Sequence, residues 1–172
     1  MDPQMQYAME RWNQMMNERI GVRPPASGGM SWPMLGLYRQ VATQYLLNNP
    51  KYSKIDPDMV VKQMQAESNW DPQALGTPDW RGEQAHGIMQ VKPSTAADMV
   101  KKAGAPEVES LMNPDENVEV GIAYLDYLKR RYKGDWRATL QRYHLGPAAY
   151  AGGKRDKEYA DYILSNRKER RK

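Results

Sequence analysis

Glu67 is the residue best placed to do chemistry in this sequence. It follows a helical stretch whose apolar positions are Met59, Val60, Met64 and Ala66. A loop rich in Gly, Pro and Asp comes next, and the compact segment Gly87-Ile88-Met89-Gln90 then leads to a second helix near Ser94. A carboxylate delivered by a buried helix and faced by a loop that folds back over it is how a general acid of raised pKa is built. Other reactive chemistries are poorly supplied. There are no cysteines, which excludes disulfides, thiolate catalysis and a Cys-based zinc site. The two histidines, His86 and His144, are far apart in sequence and make a poor zinc set. Asp135, Asp156 and Asp161 lack EF-hand spacing, and no phosphate-cradling glycine loop is present. The expectation is therefore an enzyme without metal or cofactor.

The elements that must position Glu67 read as helices. At 172 residues, with 40% hydrophobic and 27% charged residues, the chain makes one globular domain with a small extension. Phe is absent and Met numbers 12, so Trp and Tyr must carry the aromatic packing. Asp56-Pro57 opens the Glu67 helix with an N-cap and a first-turn proline. A helix from Trp32 to about Leu47 precedes it and stops at Asn48-Asn49-Pro50. Ser94 reads as the cap of a helix to Lys102, and Asn113-Pro114 starts the longest helix, the expected central strut. Asp135 opens a short helix from Trp136 to Tyr143, and a last helix runs from about Asp156 to Asn166. Strand signal is confined to a short hairpin inside residues 75–91. The fold class is mainly α.

Residues 1–30 read as a separate amphipathic helix and linker, and residues 31–172 as the main domain. Met5, Met9, Trp12, Met16 and Ile20 form one stripe, which either packs on its own domain or docks another protein. Residues 23–29 are linker by composition.

Several segments together resemble the soluble lytic transglycosylase family. Glu67-Ser68 with Pro72 and Ala74, then Gly87-Ile88-Met89-Gln90 with Pro93, Thr95 and Ala96, are similar to its first two motifs. Asn113-Pro114 with Asn117, Gly121 and Tyr124-Leu125 resembles its NP, N, G and YL helix. Tyr143-His144-Leu145-Gly146-Pro147 resembles its AYNAGP segment, and Glu158 with Tyr162-Ile163 its ET..YV helix. The match spans about residues 33–165.

The resemblance implies a lysozyme-like helical fold and cleavage of the bond between N-acetylmuramic acid and N-acetylglucosamine in peptidoglycan. It implies that Glu67 protonates the bridging oxygen and then accepts the proton of the muramic C6 hydroxyl as that oxygen attacks C1, leaving a 1,6-anhydro sugar. Glu67 must then be neutral near neutral pH, against an ordinary value of ~4.3, through burial beside Met64, Met89 and Tyr143. Ser68, Met89 and Gln90 are implied to line the same cleft, Tyr143 to sit near the acid, and Glu158 and Tyr162 to contribute from the last helix. Each has a plainer reading beside it: a backbone-bonded hydroxyl for Ser68, core aromatics for Tyr143 and Tyr162, and a solvated face for Glu158.

Three departures qualify this expectation. His144 stands where the family has Asn, which adds a pH-sensitive group. Arg142 stands where Ala is common. The loop after Glu67 is long and carries Asp71, Asp79 and Glu83. A second carboxylate roughly 6.5–9.5 Å from the acid would activate water instead and make a goose-type muramidase. A catalytically idle wall-binding or virion module is the alternative outside enzymes.

The net charge of +4 is uneven, with five positive charges in Arg167-Lys168-Glu169-Arg170-Arg171-Lys172. Such a tail either suits a helix dipole or favours anionic partners such as wall polymers. Nucleic acid is not expected, since no base-stacking aromatic platform accompanies it. No apolar run reaches the ~18 residues of a membrane span, and the N-terminus lacks a signal-peptide pattern. The expected setting is a phage protein, present in the virion or host cytoplasm when made, that acts on the wall, with the N-terminal helix as a candidate contact to a virion protein.

Overall fold

The computed structural model describes residue 39, residues 42–133 and residues 135–165. The N-terminal stripe, the linker, the first part of the helix from Trp32 and the basic tail lie outside the described residues.

Among the described residues, six helices carry the architecture: α1 Pro57–Ser68, α2 Pro93–Ala103, α3 Pro114–Tyr132, α4 Trp136–Leu145, α5 Pro147–Ala151 and α6 Lys157–Leu164. A helical run over residues 42–48 and a 3-10 turn, Pro50–Tyr52, come before α1. Side-chain caps start most of the longer helices as their sequences require. Asp56 accepts the Asp58 N–H, Asn113 that of Asp115, Asp135 that of Ala138, and Asp156 that of Tyr159. Ser94 departs from expectation. It lies inside α2, whose cap position is Lys92 without a side-chain bond. Glu83 does the capping from the preceding loop, its two oxygens accepting from Ser94 N at 2.7 Å and Ser94 Oγ at 2.8 Å.

α3 is the buried strut. Asn117, Val118, Val120, Gly121, Ile122, Ala123, Leu125 and Leu128 are all buried along it, and it packs against α2 and α4. Its Asp115 and Glu116 sit at the positive end of the dipole, and Lys129, Arg130 and Arg131 at the negative end. Gly121 permits a close approach, because a Cβ there would lie 2.5 Å from Met89 Sδ. The loop segment 87–91 therefore rests directly on the α3 backbone. α6 packs on both α4 and α1, which brings the last helix back to the Glu67 helix. One apolar cluster, from Ala42 to Ile163, joins all of this.

The expected hairpin is reduced to isolated bridges, Leu75 with His86 and His86 with Val91. Extended pairing stops because Gly87 turns at φ +72° and Gln90 at φ +48°. Gly87 is required here: besides its φ, a side chain would meet Asn117 Nδ2 at 2.6 Å.

Candidate active site

Three helix ends converge on Glu67. The residue stands one place before the end of α1, and its side chain is 9% exposed. From α6, the Tyr159 hydroxyl donates to Glu67 Oε1 at 2.5 Å. From the last turn of α4, His144 Nδ1 lies 3.7 Å from the same oxygen, a charge pair rather than a formed hydrogen bond. The imidazole stacks on the Tyr159 ring, with centroids 4.3 Å apart and planes 17° from parallel. Its other nitrogen, Nε2, is 3.4 Å from Asp156 Oδ2 at the start of α6. Glu67 and Asp156 are thus linked through one imidazole.

The loop opposite is held rigidly in place. Asn117 accepts from Met89 N at 2.8 Å and donates to the carbonyl oxygens of His86 and Leu111, each at 2.8 Å. The Tyr143 hydroxyl donates to the Met89 carbonyl at 2.9 Å. Ser68 Oγ lies 2.9 Å from the Ile88 carbonyl oxygen and 3.2 Å from that of Met64. Gln90 Nε2 donates to the carbonyls of Gly87 and Ala74. The chain following Glu67 and the segment 86–91 are therefore stitched together through buried backbone, which is how a site keeps its geometry on loops.

These contacts sort the candidate residues. Glu67 and His144 lie together at the site. Tyr143 is buried near Glu67, and its hydroxyl is spent on the loop. Ser68 likewise serves backbone carbonyls, so it orders the chain beside the acid. Met89 needs correction: its side chain is 0% exposed and packs against Gly121, so only its backbone takes part in the site's framework. The side chain of Gln90 ties the loop internally. Glu158 is exposed in the first turn of α6, while Tyr162 is 42% exposed and bonds to the Gln65 side chain. In that helix it is Tyr159 that reaches Glu67.

Tyr159 and Asp156 escape a reading of sequence alone. Tyr159 sits one residue past Glu158 on the helix already singled out, but which of the two faces inward is evident only in the structure, where Glu158 is exposed and Tyr159 buried. Asp156 was legible only as the approximate start of the last helix.

The loop acids are engaged elsewhere. Asp71 accepts the Gln73 N–H. Asp79 accepts those of Arg81 and Glu83 and pairs with Lys92 Nζ at 2.7 Å. The Lys92 ammonium leads the causes that hold Asp79 down at about 2. Glu83 caps α2 as described. Each is part of the loop's own frame.

Electrostatics at the site follow from burial and from Glu67. Burial first, then the Glu67 carboxylate, pushes the hydroxyls of Tyr143 and Tyr159 well above the ordinary range, so both remain neutral donors. The Glu67 carboxylate raises the His144 titration, Asp156 adds to it, and partial burial opposes it. No group of three or more His, Cys, Asp and Glu suited to a metal occurs among the described residues, nor does any of their helices have the length and apolarity to cross a membrane.

Comparison with known proteins gives the family and the fold. A family model described as "Transglycosylase SLT domain" matches residues 44–164. Similar curated proteins include the "Membrane-bound lytic murein transglycosylase C" of Edwardsiella ictaluri, 34% identical over 103 residues, which cover 58% of this chain and 27% of that protein. The protein of the same description from Photorhabdus laumondii is 33% identical over 123 residues, 69% of this chain and 31% of its own length. That of Yersinia enterocolitica is 31% identical over 144 residues, 77% and 37% respectively. The chain thus spans about a third of the length of these relatives. Among solved structures, the lytic transglycosylase Slt of Pseudomonas aeruginosa superposes with a TM-score of 0.58 at 21% identity, over 74% of this chain and 23% of that one. The 70 kDa soluble lytic transglycosylase of Escherichia coli gives 0.56 at 23% identity, with the same coverage. The mainly helical, lysozyme-like fold is therefore shared.

Proposed function

Because the chain belongs to the transglycosylase SLT domain family, we propose that it is a peptidoglycan lytic transglycosylase with Glu67 as its one acid and base. The observation that carries this reading is the burial of the Glu67 carboxyl at the junction of α1, α4 and α6, with a neutral Tyr159 hydroxyl on Oε1. A carboxyl so placed can give a proton to the oxygen between N-acetylmuramic acid and N-acetylglucosamine as that bond breaks. The Tyr159 donor fixes the carboxyl rotamer and stabilises the carboxylate left behind. That carboxylate then accepts the C6 hydroxyl proton as the muramic O6 closes on C1, which regenerates the acid and yields the 1,6-anhydro end.

Engagement of the loop acids favours this outcome over hydrolysis. Asp71, Asp79 and Glu83 are each committed to loop N–H groups, Lys92 or the α2 cap. A water-using mechanism would need one of them, or another carboxylate, free on the far side of the sugar.

Mass spectrometry of muropeptides released from purified peptidoglycan tests the reading. Wild type should release anhydro-ended fragments, and Glu67→Gln should release none. Reducing ends in place of anhydro ends would make the protein a muramidase. An undiminished rate in Glu67→Gln would remove Glu67 from the chemistry, and a wild type without any release would leave a wall-binding module.

A further inference from the structure

His144 fills the space between two carboxylates carried by different helices. Its Nδ1 is 3.7 Å from Glu67 Oε1 and its Nε2 is 3.4 Å from Asp156 Oδ2. Stacking on Tyr159 fixes the ring plane, and the carboxylates on its two sides favour the orientation that sets Nδ1 toward Glu67 and Nε2 toward Asp156. The titratable groups facing this pair are Glu67 from α1, Asp156 and Tyr159 from α6, and Tyr143 from α4 itself. Burial keeps both phenols protonated, so neither of them supplies the proton.

We propose that His144 is the proton reservoir of Glu67, passing its Nδ1 proton to Oε1 while Asp156 holds the Nε2–H. The proposal rests on the reading of Glu67 as the acid. In the step, Nδ1 closes from 3.7 Å to hydrogen-bond distance of Oε1, the His144 Nδ1–H bond breaks and the Glu67 O–H bond forms. The imidazolium becomes a neutral imidazole with its remaining proton on Nε2, and the carboxylate becomes the carboxylic acid that attacks the glycosidic oxygen. No proton is gained or lost overall, and no electron moves. When Glu67 later accepts the C6 hydroxyl proton, that proton can return to Nδ1, so the reservoir refills each turnover. A sugar strand covering the site would exclude water and disfavour separated charges, which drives the pair toward its neutral form. His144 acts through Glu67 and is a positioning residue, with no contact to the sugar required.

The sign of the pH dependence follows directly. The two carboxylates raise the His144 titration above its ordinary value, so the reservoir is loaded below that point and empties as pH rises through it. The alkaline limb of activity is then set by His144.

The test pairs NMR titration of the His144 ring in the full chain with pH–rate profiles on purified peptidoglycan. In wild type, His144 should titrate above ordinary imidazole, and Glu67→Gln and Asp156→Asn should each lower it. His144→Asn and His144→Gln should keep the fold and cleave in mild acid. Their alkaline limbs should shift to lower pH, so that rates on the alkaline flank fall about tenfold or more against wild type, with a smaller loss in acid. Superposable alkaline limbs for wild type and His144→Asn would overturn the proposal, as would a His144 titration indifferent to Glu67→Gln. A wild type that cleaves no peptidoglycan would remove the functional reading and this proposal with it, whatever the titration shows. A measured coupling between Glu67 and His144 would then remain as a property of the fold alone.

Discussion

At the scale of residues, Glu67 is defined by its neighbours. A surface glutamate would exchange partners with water, but this one is met by a phenol whose own proton is locked on by burial. Tyr159→Phe therefore removes one hydrogen bond to a buried charged group and little packing volume. Such bonds contribute about 1.5–3 kcal/mol, which converts to a loss of roughly 10- to 150-fold in kcat if the bond matters most when Glu67 is ionised. Steady-state rates on purified peptidoglycan would show it, alongside a Tm within a few degrees of wild type. A wild-type rate in Tyr159→Phe would mean the phenol is only a packing group. Glu67 itself was legible from sequence because a polar group ending an apolar period is conspicuous. Tyr159 was not, because a tyrosine on the inner face of a helix looks the same whether its hydroxyl meets water, backbone or a catalytic acid.

Among the elements, the segment 86–91 and α3 depend on each other most. Asn117 is fully buried and makes three hydrogen bonds, to the Met89 N–H and to the carbonyls of His86 and Leu111. Asn117→Ala should lower stability by about 2 kcal/mol or more, since it strands the Met89 N–H and the Leu111 carbonyl, whereas the His86 carbonyl keeps the Val91 N–H. A urea midpoint close to wild type would contradict that role. The sequence showed the helices well because caps and prolines mark their starts locally. It showed the loop poorly, for a reason visible at Glu83 and Ser94. A cap supplied from 11 residues away is a tertiary contact, and the local S/T/N/D rule assigned it to the wrong residue. Met89 was misplaced for a similar cause. A methionine next to a turn looks available to a ligand until the glycine on the facing helix is seen to admit its sulfur.

At the scale of the whole molecule, a single apolar cluster runs from Ala42 to Ile163 among the described residues, and each of their long helices contributes to it. One cluster implies one cooperative unit. Thermal unfolding followed by far-UV circular dichroism and by near-UV aromatic signal should give coincident transitions, and separated midpoints would show that the last helices melt on their own. The same connectivity has a consequence in time. Glu67 and Tyr159 touch across 92 residues of chain. At the usual pace of synthesis, roughly 5–20 s pass between the appearance of the acid and of the phenol that orients it. During that interval the nascent chain carries Glu67 without α6, so a product released then has an unassembled candidate site. A wall-cleaving activity of the kind proposed is thereby withheld until α6 has been made.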